Sequence, residues 1–87
     1  MNSNTLNNIN VYDEEWINNQ ISEIGKNIRE ERLRRDLSVN DLSLISNINI
    51  RQLYKIESGE NKIGLKGIMR IIIALDISPN KLFKQIT

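Results

Sequence analysis

Asn40 to Gly59 reads NDLSLISNINIRQLYKIESG, and this stretch decides the fold. It divides into two short helices joined by a tight turn, the first starting just after Ser38 and the second just after Asn49. Ser38 stands three residues before Asp41, and Asn49 three before Gln52. In such a capping box the first side chain accepts the N–H at N3, while the N3 side chain reaches back to the cap. The junction Ser46-Asn47 suits a turn, because Asn tolerates the left-handed conformation better than most residues with a Cβ. Leu42, Ile45, Ile48, Leu53 and Ile56 are expected to face inward. Gly59 stands where a C′ glycine would end the second helix. Two caps, one turn and a one-sided apolar set make a helix-turn-helix. An αα-corner of this kind also occurs in small helical bundles that have no nucleic-acid partner.

A chain of 87 residues corresponds to one domain and one modest core. With no Cys and no His, disulfides, thiol catalysis and the usual zinc sites are excluded. No apolar run reaches the roughly 18–20 residues of a membrane span, and the N-terminus lacks the layout of a signal peptide. The expectation is a cytoplasmic protein with no membrane partner. The formal charge is only +1, but it is unevenly distributed. Residues 1–23 hold four acids and no Lys or Arg, or −4; the rest holds twelve basic and seven acidic residues, or +5. A basic domain behind an acidic leader fits a polyanion partner, although an ordinary solvated surface has the same composition.

Taken in order, residues 1–11 are mostly Asn with scattered apolar residues and read as a disordered or loosely docked leader. Asp13-Glu14-Glu15 suits a helix start. Ile17, Ile21, Ile24 and Ile28 then form one helical stripe, with Trp16 beside it, serving core or subunit contact. Gly25 interrupts this stripe at a propensity cost of about 1 kcal/mol relative to Ala. The pattern therefore allows one long helix, or a short extra helix ahead of a helix over 23–35. KNIREERLRR at 26–35 reads as a charged, exposed face with i,i+4 pairs. Beyond Gly59, Leu65, Ile68, Ile72 and Leu75 mark a helix over 65–75, and Met69, Ile71 and Ile73 widen its apolar surface. Ser78-Pro79 reads as N-cap and N1 of a last short helix carrying Leu82 and Phe83. The reading is all-α, about five helices, with an N-terminal extension at 1–20 and a helix-turn-helix domain at 21–87.

The segment from Ile24 to Phe83 resembles the XRE/Cro-type helix-turn-helix domain of phage repressors and bacterial regulators. The matching features are IGKNIREERL, LSVNDLS, IRQLYKIESGENK and LKGIMRIIIALDISPNKLF, and the segment that holds them covers about 60 of the 87 residues. The resemblance implies a compact five-helix, lambda-repressor-like bundle whose third helix, roughly Asn49 to Ser58, lies in the DNA major groove. Base-reading positions are then Ile50, Arg51, Tyr54 and Lys55. Arg51 has the fork geometry for guanine, Ile50 offers only apolar contact, and Lys55 suits a guanine or a phosphate. Backbone contacts are implied for Asn40, Asn49, Ser58, Asn61 and Lys62, and these fix register rather than read sequence. Where the family usually has Gln, this chain has Val39, which removes a side-chain phosphate anchor. Arg32 and Glu57 match a salt bridge that ties helix one to helix three. Ile73 replaces a residue that tends to be polar and forms an apolar patch with Met69. That patch is read as a dimer interface, the alternative being that it packs under the N-terminal extension through Trp16 and Ile17.

The function implied is a sequence-specific DNA-binding transcriptional regulator, a repressor acting on a palindromic operator as a homodimer. It needs no cofactor, no metal and no small-molecule substrate. Without a sensing domain, its concentration or a protein partner such as a toxin or antirepressor would control it. Phage-type repressors, restriction-modification controller proteins and antitoxins fit the sequence equally. A protein-interaction module that has lost DNA binding is the rival of a different class, kept open by Val39 and Ile50. No residue set for acid/base or nucleophilic catalysis is visible, so no enzyme is expected.

Overall fold

The first helix starts at Asp13, whose carboxylate accepts the Trp16 N–H at 3.0 Å. In the computed structural model, which describes residues 13–60 and 63–86, this helix, α1, runs unbroken over Glu14–Arg34. The expected leader at 1–11 lies outside the described residues. Gly25 sits inside α1 without breaking it, and the reason is tertiary. A Cβ added there would strike the carbonyl oxygen of Ile56. The glycine thus permits a close crossing of α1 over the helix that carries Ile56.

α1 ends in a Schellman arrangement. Asp36 takes a left-handed conformation (φ 55°), its N–H donates to the Leu33 carbonyl, and that of Leu37 to the Arg32 carbonyl. Helix α2 spans Val39–Ser46 and opens with the expected capping box. The Ser38 hydroxyl accepts the Asp41 N–H at 2.9 Å, and the Asp41 carboxylate accepts the Ser38 N–H at 2.8 Å. Asn47 then turns the chain with φ 56° and ψ 40°. Helix α3 spans Ile50–Glu57. Its cap differs from expectation: Asn49 accepts the N–H of Arg51, at N2, at 2.8 Å, and Gln52 makes no return bond, so Asn49 caps α3 without a capping box. Gly59 (φ 80°) closes α3 as C′. Its N–H donates to the Ile56 carbonyl and that of Glu60 to the Lys55 carbonyl, a complete Schellman motif.

Helix α4 is Leu65–Leu75 and α5 is Asn80–Phe83. Pro79 precedes α5 in helical conformation, and α5 has no side-chain cap. The expected Ser78 cap is therefore absent; its carbonyl accepts the Lys81 N–H instead.

The core gathers Ile24, Ile28, Val39, Leu42, Ile48, Leu53, Ile56, Ile71, Leu75 and Leu82. Two expected core residues stand outside it. Ile45 is 53 % exposed, because α2 buries Val39, Leu42 and Ser46, a stripe at i, i+3, i+7. Ser46 enters this apolar stripe with its hydroxyl donating to the Leu42 carbonyl. Leu65 is 78 % exposed, and the fully buried residues of α4 are Ile71 and Leu75. The inward stripe runs Ile68, Ile71, Ile72, Leu75, so Leu65 falls beyond the edge of the core. α5 is held by α1: the buried Asn27 amide donates to the Leu82 carbonyl and to Gln85 Oε1, both at 2.8 Å. Among the described residues no helix is long and apolar enough to cross a membrane.

Candidate nucleic-acid interface

Helix α3 has eight residues and buries two of them, Leu53 and Ile56. Their spacing of three fixes the rotation of the helix and turns Arg51, Gln52, Tyr54 and Lys55 to solvent. Arg51 and Lys55 are four apart, and Arg51 and Tyr54 three apart, so they share one exposed face.

Two contacts hold this helix against α1. One is the close backbone approach at Gly25. The other is the expected Arg32–Glu57 pair, whose side chains are 8 % and 7 % exposed. Arg32 Nε and one terminal nitrogen donate to the two Glu57 carboxylate oxygens, each at 2.8 Å. The other terminal nitrogen donates to the Leu37 carbonyl at 2.8 Å. One guanidinium thus ties α1, the loop before α2, and the last residue of α3. The Glu57 hydrogen bond raises the Arg32 pKa above its ordinary value, against the opposing effect of burial. A bidentate pair of this kind orients the helix, while its net stability is reduced by desolvation.

A second carboxylate lies nearby on α1. Glu31 is buried and paired with Arg34 at 2.6 Å and Arg35 at 2.8 Å. The Arg35 hydrogen bond holds its carboxyl below the usual range. The i,i+4 pairing expected in 26–35 is therefore centred on a buried acid. At the start of α2, the Asp41 carboxyl is also lowered, by the backbone hydrogen bond from Ser38.

Of the residues expected to read bases, Arg51, Tyr54 and Lys55 stand exposed together. Ile50 is half-buried and packs against the core, so only part of it faces outward. Asn40, Asn49 and Ser58 are exposed as well. The Asn49 side chain is already engaged with the Arg51 N–H, and the Ser58 hydroxyl donates to the Lys55 carbonyl at 3.0 Å. Asn61 and Lys62 lie outside the described residues. Val39 is buried and forms part of the core, which accounts for an apolar residue there. On α4, Met69 and Ile73 are exposed, Ile73 at 72 %, and Trp16 is exposed as well. The packing of this patch beneath Trp16 and Ile17 is thus not realised.

Two residues of the site escaped sequence reasoning. Gly25 was visible as an interruption of a helical stripe, a signal of close backbone approach as much as of a break. Arg29 was indistinguishable within its charged run; only the fold places it in a cavity with Tyr54.

A family model described as helix-turn-helix matches residues 28–82. Among solved structures, the restriction-modification controller protein C.AhdI from Aeromonas hydrophila superposes with a TM-score of 0.72 at 29% identity. That match covers 75% of this chain and 98% of the controller. No curated protein matches the chain.

Proposed function

The chain belongs to the XRE-type helix-turn-helix family of DNA-binding transcription regulators, and from that premise we propose that it is a repressor that binds a palindromic operator as a homodimer in the cytoplasm. The observation that carries this reading is the exposed face of α3, with Arg51, Tyr54 and Lys55 held outward on a helix clamped by the Arg32–Glu57 pair. Arg51 and Lys55 reach base edges in the major groove, and the outward part of Ile50 offers apolar contact to a thymine methyl. Asn40, Asn49 and Ser58, with Asn61 and Lys62, contact the sugar-phosphate backbone and set register. Met69 and Ile73 pair across the two-fold axis. Repression follows from occupying the operator and excluding polymerase.

A second reading is favoured by one observation. The match to a restriction-modification controller over 98% of that protein supports a controller role, carried by the same DNA-binding surface. Selection of bound sites from random duplex DNA, followed by footprinting, tests the common core of both. The expected result is a palindrome with half-sites about one helical turn apart, or a small multiple of it. Absence of any enriched sequence would remove sequence-specific binding, and a lone unpaired half-site would remove the dimer.

A further inference from the structure

Beside α3 lies an open cavity of about 300 Å³ lined by Arg29, Arg32, Val39, Tyr54, Glu57 and Ser58. α1, the first residue of α2, and the end of α3 all contribute to it. We propose that this cavity is a phosphodiester site, in which Arg29 and the Tyr54 hydroxyl hold one phosphate of the DNA strand flanking the groove.

The charges decide what fits. Arg32 and Glu57 are bound to each other in bidentate fashion, so together they contribute little net charge to the cavity. Arg29 is exposed and has no carboxylate partner among the described residues. It is therefore the free charge of the cavity, a planar guanidinium suited to phosphate oxygens. The Ser58 hydroxyl is spent on the Lys55 carbonyl, and among the described residues the Tyr54 hydroxyl of the cavity has no hydrogen-bond partner and can donate. Position also matters. Tyr54 and Ser58 belong both to the cavity wall and to the face that carries Arg51 and Lys55. A duplex contacting that face runs its backbone past the cavity mouth. Tyr54 is then a residue that positions the backbone rather than one that reads a base.

The inference rests on the DNA-binding reading, and the test separates the two. Affinity of the full chain for its selected duplex is measured across a salt series, with Arg29→Gln and Arg29→Lys alongside. Arg29→Gln is expected to lower the log–log slope by about one per protomer and to weaken all duplexes by a similar factor, roughly 3- to 30-fold, with Arg29→Lys retaining most of the slope. A salt-dependent parent with an unchanged slope in Arg29→Gln overturns the site and leaves DNA binding standing. A parent slope near zero overturns both. Inorganic phosphate titrated into the free chain, followed at the Tyr54 ring resonances, distinguishes the ligand's source. Millimolar phosphate perturbing Tyr54 while Arg29→Gln leaves duplex binding intact makes the ligand free phosphate and overturns the DNA assignment.

Discussion

Replacing Arg32 by methionine tests the clamp on α3. The substitution keeps much of the side-chain length but leaves the Glu57 carboxylate, only 7 % exposed, without its counter-ion. It also strips the Leu37 carbonyl of its donor. Removing one partner of a buried pair costs about 3–5 kcal/mol, because the charge left behind is buried and uncompensated. A domain of this size has roughly 5–15 kcal/mol in total, and each kcal/mol moves its Tm by roughly 4–8 °C. Arg32→Met is thus expected to lower Tm by about 12–40 °C. Urea and thermal melts followed by circular dichroism measure it, and a double-mutant cycle apportions it. The double variant Arg32→Met/Glu57→Leu, which replaces both charges by apolar groups, should regain most of the loss. A loss below about 1 kcal/mol in Arg32→Met would refute the clamp. A double variant no better than the single would refute the attribution to an uncompensated Glu57.

Other consequences are equally direct. Gly25→Ala gains helix propensity but forces α1 off the Ile56 carbonyl, so a net loss of about 1–3 kcal/mol is expected in urea melts; a stabilised variant would contradict the close crossing. Ile73→Lys should weaken self-association at least tenfold (about 1.4 kcal/mol) in ultracentrifugation with helicity intact; an unchanged dimer would move the interface elsewhere. In acid, the sign follows from the depressed Glu31 carboxyl. Its contribution is present above the ordinary value of 4.5 and is lost as pH falls through the lower folded value. Glu31→Gln should therefore flatten the acid limb of a stability profile taken between about pH 6 and 3, and an unaltered limb would contradict the pairing with Arg35.

Much of the fold was legible because its signals are local. The Ser38–Asp41 box, the left-handed Asn47 and the C′ Gly59 depend on a few consecutive residues, and each forms as read. Helix phase was harder to read wherever apolar residues are adjacent. Leu44 next to Ile45, and the run Ile71-Ile72-Ile73, allow more than one inward stripe, and only the neighbouring helices select one. A polar Ser46 can be buried because the Leu42 carbonyl satisfies it, which periodicity alone does not predict. The same holds for charge. Glu31 and Arg29 lie two residues apart in one charged run, yet one is a buried, doubly paired acid and the other an exposed cation at a cavity, without a carboxylate partner among the described residues. Arg51 and Lys55 were named through the family resemblance, and their exposure follows from a spacing to Leu53 and Ile56 that leaves them the outer side of the helix.

The central claim is that α3 reads bases through Arg51, and parallel site selection with the parent chain and Arg51→Ala tests it most directly. The predicted result is a parent site whose preference relaxes at one base pair of each half-site in Arg51→Ala, with a loss of about 1–3 kcal/mol on the parent site. An Arg51→Ala chain that selects the same site with the same stringency would contradict it.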